Sequence, residues 1–282
     1  MQHAKYKLQT TRLMQYDPIK RMLGKVFNQS PWLRILFYKM LDLLLLRSWH
    51  VRRELKILKT SRPHKLNILD AGSGFGQYTW FMQSLFRKAA ILAVDVKAEQ
   101  VADCNAFFTR MGKNKVRFEV ADLTLFTWND HFDLILSVDV MEHIEEDVKV
   151  FRNFYDSLTQ EGILLISTPS DQGGSDVHDH DHGESFIDEH VRDGYGMDEI
   201  REKLRMAGFS RTEARYTYGK PGQLGWRLSM KYPIMLLSIS KIFFLLLPFY
   251  YLVTFPLALV CNFLDLRWKH TSGTGLLVKA IK

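Results

Sequence analysis

Cysteine is scarce. Cys104 and Cys261 are the only two in 282 residues, and they lie too far apart in the chain to form a metal-type pair. This gives no disulfide framework and points to a reducing compartment. Internal repeats and low-complexity tracts are also absent. The first residues, MQHAKYKLQTTRLMQYDP, lack the continuous apolar core of a secretory signal, so a cytoplasmic protein is expected. Acids are rare at one end: residues 1–65 hold three (Asp17, Asp42, Glu54) against fifteen Lys and Arg. That segment carries +12 of charge and the remainder −5. Such asymmetry suits an anionic partner, nucleic acid or anionic lipid; the plainer alternative is a solvated basic face. Charge is missing altogether from residues 242–264, IFFLLLPFYYLVTFPLALVCNFL, a run of 23 residues.

From Lys65 onward, apolar runs alternate with amphipathic stretches. LNILDA (66–71), AILAVD (90–95), VRFEVA (116–121), FDLILSV (132–138) and GILLIST (162–168) predict strands. Helices are predicted near 76–88, 97–111, 145–158 and 197–207, the second and last of these ended by Gly112 and Gly208. RTEARYTYG (211–219) and GLLVKAIK (275–282) supply two further strands. Strands alternating with helices argue a parallel α/β sheet, with ligands at the carboxyl ends of the strands.

ILDAGSGFGQYT (68–79) is the most informative stretch. A strand ends at Asp70, and Gly72, Gly74 and Gly76 then turn the chain into a helix, leaving the backbone open to a ligand. The spacing is G-x-G-x-G, not the G-x-G-x-x-G of dinucleotide enzymes. A second strand ends in Asp95, placed to accept from a ribose diol. A third ends in Ala121-Asp122, suited to an adenine amino group. Together with FDLILSVDVMEHIEED (132–147) and LTQEGILLISTPS (158–170), the chain resembles the class I S-adenosylmethionine-dependent methyltransferases, and most closely the branch with ubiquinone-type and other small-molecule enzymes. The resemblance covers about residues 65–218 and the last strand. It implies a seven-stranded, mostly parallel Rossmann-like sheet with helices on both faces and an antiparallel last strand. It implies S-adenosyl-L-methionine as cofactor. Asp70, Gly72, Ser73, Gly74 and Gly76 would hold its methionine part, Asp95 with Val96 the ribose, Asp122 with Leu123 the adenine. Ser137, Val138 and the two residues after them would flank the methyl group.

An oxygen or carbon acceptor often needs a general base as well as alignment. His143, in VDVMEHIEED, follows the fourth strand; it is a candidate base or an ordinary part of a helix start, and Glu142 has the same two readings. DQGGSDVHDHDHGESFIDEHVRDGYG (171–196) follows the fifth strand and should overhang the acceptor. On an extended segment His178, His180 and His182 share one face. They can bind a metal, or His178, His180 or His190 can serve as base; the alternative is a solvated polar loop. The run HDHDH departs from common members of the family. Arg192 either meets an acidic group of the substrate or caps the loop.

Two apolar additions remain. Residues 1–64 form a basic extension ahead of the methyltransferase domain at 65–282. Within it, SPWLRILFYKMLDLLLLRSWHVRREL (30–55) carries a helix start at Ser30-Pro31 and apolar residues on more than one face. It suits a helix in a membrane interface, one capping the cofactor or pairing with a second subunit, or a core helix. The second addition is an insertion at about 220–270 that contains the uncharged run. A single crossing of a membrane would put the last two strands in different compartments, and two crossings need about 40 apolar residues. Pro248 and Pro256 suggest two or three short, broken helices. Arg227, Lys231, Lys241, Arg267, Lys269 and His270, with Trp226, Tyr232, Tyr250, Tyr251 and Trp268, ring the region as an interface anchor would. Anionic lipid is thus favoured over nucleic acid, for which no motif is present.

The resulting expectation is a methyltransferase of a lipophilic small molecule, acting on oxygen and peripheral at the inner face of a membrane. The alternatives are a soluble homodimer with a polar or protein substrate, and a non-catalytic binding protein of the same fold.

Overall fold

The computed structural model describes residues 30–61, 65–173 and 191–282. The strands are β1 (Asn67–Ala71), β2 (Ala90–Asp95), β3 (Val116–Val120), β4 (Phe132–Val138), β5 (Leu158–Pro169), β6 (Arg211–Thr217) and β7 (Gly275–Ile281). They form one sheet in the order β3-β2-β1-β4-β5-β7-β6. The first five are parallel, and β7 lies antiparallel between β5 and β6. The order reverses at β1 and β4, which makes a crevice at their carboxyl ends. The central strands read as continuous apolar runs because helices cover both faces.

The helices are α1 (Pro31–Leu44), α2 (Leu46–Ser61), α3 (Gln77–Leu85), α4 (Ala98–Arg110), α5 (Asp147–Ser157) and α6 (Met197–Met206). On one face Phe151 and Phe154 of α5 and Ile200 and Leu204 of α6 pack on β4, β5 and β7. On the other, Val51, Leu55 and Leu58 of α2 join Met82 of α3. Tyr38 of α1 packs with Phe107 and Phe108 of α4. The chain between α1 and α2 breaks at Leu45, which is extended. No Gly or Pro marks that break in the sequence; it lets Leu46 turn inward and become buried.

The insertion between β6 and β7 leaves the sheet at Thr217 and returns at Gly275, and these two residues are paired across the strands. It is a helical hairpin. The outgoing arm is α7 (Lys220–Trp226), a π-helical turn at Arg227–Lys231 and α8 (Tyr232–Ile239). A 3-10 turn at Lys241–Leu245 precedes the returning arm, α9 (Leu247–Arg267). The expectation of short, broken helices holds for the outgoing arm and is corrected for the returning one, since α9 runs unbroken for 21 residues. Pro248 sits in its first turn, where no hydrogen bond is lost. Pro256 is internal and costs about 3 kcal/mol, but the helix is held on both sides of it. Tyr250 and Tyr251 donate to the carbonyls of Leu228 and Ser229. Beyond Pro256, Ala258, Asn262 and Asp265 are buried at the foot.

The foot is organised by Asp265, fully buried near the end of α9. Its carboxylate accepts from His50 Nε2 (2.9 Å), from the amides of Tyr218 (3.2 Å) and Gly222 (3.1 Å), and lies 3.2 Å from His270 Nε2. A side chain at Gly222 would collide with Asp265 and Leu46, so this approach requires glycine. His50 is held neutral, its pKa lowered first by burial and only partly restored by Asp265. A lowered histidine pKa contributes stability above the unfolded value near 6.5 that is lost as pH falls below it. Wild type should therefore lose thermal stability below about pH 6.5, and His50→Phe should flatten that slope. Asp265→Ala should cost at least about 1–3 kcal/mol in denaturant unfolding, because it leaves buried donors unsatisfied.

Candidate active site

The glycine loop joins β1 to α3 at the crevice. Gly72 and Ser73 donate to the carbonyl of Val94, and Gly74 N donates to Asp95 Oδ2 at 2.9 Å. The other oxygen of Asp95 accepts from Lys97 N. Backbone amides thus fix the Asp95 carboxylate at the end of β2, half-buried, with lone pairs left for a ligand. Val96 beside it is exposed. Asp122 accepts from the amide and hydroxyl of Thr124, while Leu123 is buried. Asp70 lies beneath the loop and takes the Thr79 hydroxyl at 2.5 Å, tying β1 to α3. Burial pushes its carboxyl up to about 7 against that hydrogen bond, with Asp95 adding to the rise.

Two observations test whether a ligand fits. The hydroxyls of Ser73 and Ser137 are buried without partners among the described residues, one on the loop and one near the end of β4. Gly74 has φ +51°, and a Cβ there would meet nothing within 4 Å. The loop therefore borders open space at its centre, and unsatisfied donors stand at its edge. This is the arrangement a polar cofactor at the strand ends would complete.

The loop is also held from outside, by residues that sequence reasoning missed. Arg34 of α1 is buried, and its Nη2 donates to the carbonyl of Phe75 at 2.9 Å and to Cys104 Sγ at 2.9 Å. Its Nε donates to Tyr38 Oη at 2.8 Å, and Tyr38 donates in turn to the same Phe75 carbonyl. The guanidinium lies 4.7 Å from the centre of the Phe107 ring. A buried cation aimed at one carbonyl between Gly74 and Gly76 fixes the loop's shape. The Arg34 to Tyr38 spacing of four was the available signal, a helical pair on one face.

Beyond β4 the chain turns sharply: Asp139 has φ +51°, and Met141–His143 form a 3-10 turn. Val138 is half-buried at the end of β4 and Ser137 fully buried. Arg47, at the start of α2, forms an ion pair with Asp139. Its amide donates to Tyr218 Oη at 3.0 Å. Ser48 next to it is 3.2 Å from Tyr78 Oη. Glu142 is buried and accepts from Thr168 Oγ1; burial raises its pKa, and its hydrogen bonds and the nearby Arg47 oppose that rise. The carbonyl of Glu142 accepts from Val191 N. Arg192 pairs with Asp147 and donates to the carbonyl of Ile144, so of its two readings it is the loop cap. Tyr195 completes that cap, donating to Met141 O and Asp147. His143 is half-buried in the same turn. His178, His180, His182, Glu189 and His190 lie outside the described residues. Among the described residues, no cluster of three or more His, Cys, Asp or Glu could hold a metal.

A family model described as a methyltransferase domain matches residues 63–208, half of the chain. The chain belongs to the class I S-adenosylmethionine-dependent methyltransferases. S-adenosyl-L-methionine is accordingly its cofactor. The match sets the class and not the branch within it. Among named relatives, the malonyl-[acyl-carrier protein] O-methyltransferase of Bacillus cereus is 30% identical over 126 residues, 44% of this chain and 46% of the relative. Phosphoethanolamine N-methyltransferase 1 of Triticum aestivum is 31% identical over 156 residues, 49% of this chain and 31% of the relative. The chain thus spans less than half the length of these relatives. In fold it is similar to Haemonchus contortus phosphoethanolamine N-methyltransferase 2 in complex with S-adenosyl-L-methionine. The TM-score is 0.53 at 19% identity, over 82% of this chain and 52% of that one.

Cofactor affinity should report on the loop. Gly74→Ala should weaken S-adenosylmethionine binding by about tenfold or more in calorimetry, since φ +51° suits glycine and the methyl group enters the open space. Arg34→Met should weaken it comparably while leaving Asp95 untouched. Asp95→Ala with undiminished binding would overturn the ribose assignment.

Proposed function

We propose that this methyltransferase works on a lipophilic acceptor at a membrane surface and transfers the methyl group to oxygen. The observation that carries this reading is the hairpin. Ile234, Ile239, Ile242, Phe244, Leu245, Phe249, Leu252, Val253 and Leu257 are each more than half exposed along it. Contiguous apolar surface of this kind marks a partner or a membrane. A fully buried side chain of this size contributes about 1.5–3 kcal/mol. Four of them would supply roughly 6–12 kcal/mol, enough for micromolar binding. Lys241 is the one charged residue in 232–264 and opposes insertion by about 2.5–3.5 kcal/mol at the bilayer centre. Two of the apolar side chains offset it.

α9 is long and apolar enough to cross a membrane by length and composition. Pairing of Thr217 with Gly275 returns both ends of the hairpin to one point, which favours entry from one side. α8 beyond Lys231 is about 12 Å long at 1.5 Å per residue, close to the depth of one leaflet. The foot is joined to the crevice: Tyr218, bonded to Asp265, also meets Arg47, which pairs with Asp139 after β4. An acceptor drawn along the hairpin would reach the strand ends there.

When bound, S-adenosylmethionine supplies a methyl group on sulfonium sulfur, already activated for in-line displacement. The Ser73 hydroxyl and the open backbone around Gly74 would hold its methionine part, Asp95 the ribose, and Asp122 with Leu123 the adenine. Ser137, Val138 and Asp139 would shape the space beside the methyl group. His143 stands in the turn after β4 and would take the acceptor proton. The O-methyltransferase among the relatives is in keeping with an oxygen acceptor.

Phe249→Asp with Leu252→Asp should abolish cosedimentation with liposomes while cofactor affinity stays unchanged; Lys241→Leu should strengthen it. Wild type that floats free of every liposome and forms a dimer in plain buffer would overturn the membrane reading. Incubating lipid extracts with enzyme and deuterated-methyl cofactor, followed by mass spectrometry, identifies the acceptor; a product labelled only on a water-soluble molecule would count against it.

A further inference from the structure

An open groove of about 660 Å³ lies at the foot of the hairpin. It is lined by Asp42, Trp49, Arg52, Arg53, Lys56, Ile57, Thr60 and Leu266. Most of these come from one face of α2, at the helical spacing 49, 52, 53, 56, 57 and 60. α1 closes one side through Asp42, and the end of α9 closes the other through Leu266. Three cations face one acid, so the groove is net positive.

Each cation is held differently. Arg52 pairs with Asp42 and stacks 4.1 Å from the centre of the Phe81 ring. Arg53 donates to the carbonyl of Leu266 and so pins the groove to the hairpin. Lys56 is exposed and makes no hydrogen bond or ion pair among the described residues. Trp49 spends its indole N–H on the carbonyl of Leu43, which leaves its ring as apolar wall beside Ile57 and Leu266. The groove thus joins an apolar wall to an ammonium and two guanidinium groups. Apolar surface flanks it on both sides. Trp32, Leu36, Met40 and Leu43 form an exposed stripe along α1, and Trp268 is exposed beyond the foot of α9.

We propose that this groove binds the phosphodiester headgroup of an anionic membrane glycerolipid, with Lys56, Arg53 and Arg52 on the phosphate and Trp49, Ile57 and Leu266 against the glycerol and first acyl carbons. The proposal rests on the membrane reading above and adds a lipid preference and an orientation to it. A hairpin laid obliquely into one leaflet brings the groove at its foot to headgroup depth, where basic and aromatic side chains are favoured.

The test separates the groove from the hairpin. Wild type is floated with phosphatidylcholine vesicles, with and without phosphatidylglycerol. Arg53→Gln with Lys56→Gln should lose the preference for anionic vesicles, about twenty-fivefold at roughly fivefold per cation removed. Binding to neutral vesicles and cofactor affinity should be unchanged. In parallel, soluble dihexanoyl phosphatidylglycerol, below its micelle concentration, is titrated calorimetrically into wild type, the double variant and the Phe249→Asp, Leu252→Asp hairpin variant. The proposal expects binding to wild type and hairpin variant and loss in the double variant. If vesicle binding fails but this binding holds, the groove stands and the membrane reading falls. Equal titration by inorganic phosphate would make this a free-anion site and overturn the lipid assignment. Unchanged lipid binding in the double variant, or none in wild type, would also overturn it.

Discussion

The pairing of β7 between β5 and β6 constrains the rest of the molecule. A strand inserted antiparallel there must enter from the end of the sheet where β6 leaves it. Whatever joins β6 to β7 therefore starts and finishes at one place, opposite the paired residues Thr217 and Gly275. Nearly sixty residues of apolar chain can be added at that point only as a closed excursion. The hairpin is the helical solution, because a helix satisfies its own backbone groups wherever it is exposed. Asp265 then fastens the excursion to α2 and to the chain leaving β6. A single buried carboxylate with several donors makes the foot rigid, while the arm beyond it has little contact with the body.

The same economy of contacts appears at the glycine loop. Its backbone must stay open for a ligand, so no side chain of its own can hold it in shape. Support comes from α1, which reaches over with Arg34 and Tyr38 to the one carbonyl at Phe75. Burying a guanidinium is costly unless every donor is used, and here the donors find carbonyls, a thiol and a phenol. Burial in turn pushes the Cys104 thiol up to about 12 and leaves it inert as a nucleophile. The basic segment is thus divided in use. Arg34 is internal, Arg47 and Arg52 are paired with acids, and Arg53 and Lys56 face outward beside the hairpin.

Much of this was legible in the sequence because it rests on local pattern. The strands at 90–95 and 132–138 are found with the expected ends, and the other strand boundaries fall within a few residues. β5 is longer than its apolar core because polar Thr159 to Glu161 continue the strand. The glycine loop, with Asp95 and Asp122 at the ends of the next two strands, was also readable, since turn chemistry and strand ends fall at fixed spacings. The proline reading failed at Pro256, where contacts from a distant segment outweigh a local penalty. The break at Leu45 had no local signal.

By itself, the sequence determined the order of strands and the antiparallel closure implied by the family. Hydrophobic periodicity and glycine position depend on neighbours in the chain, and those are given. Tertiary structure alone decided that Arg34 serves the loop from about forty residues away. It alone brought His50 to Asp265 and set Arg53 and Lys56 beside Leu266. Each depends on two segments distant in sequence meeting at one place, which no local pattern encodes.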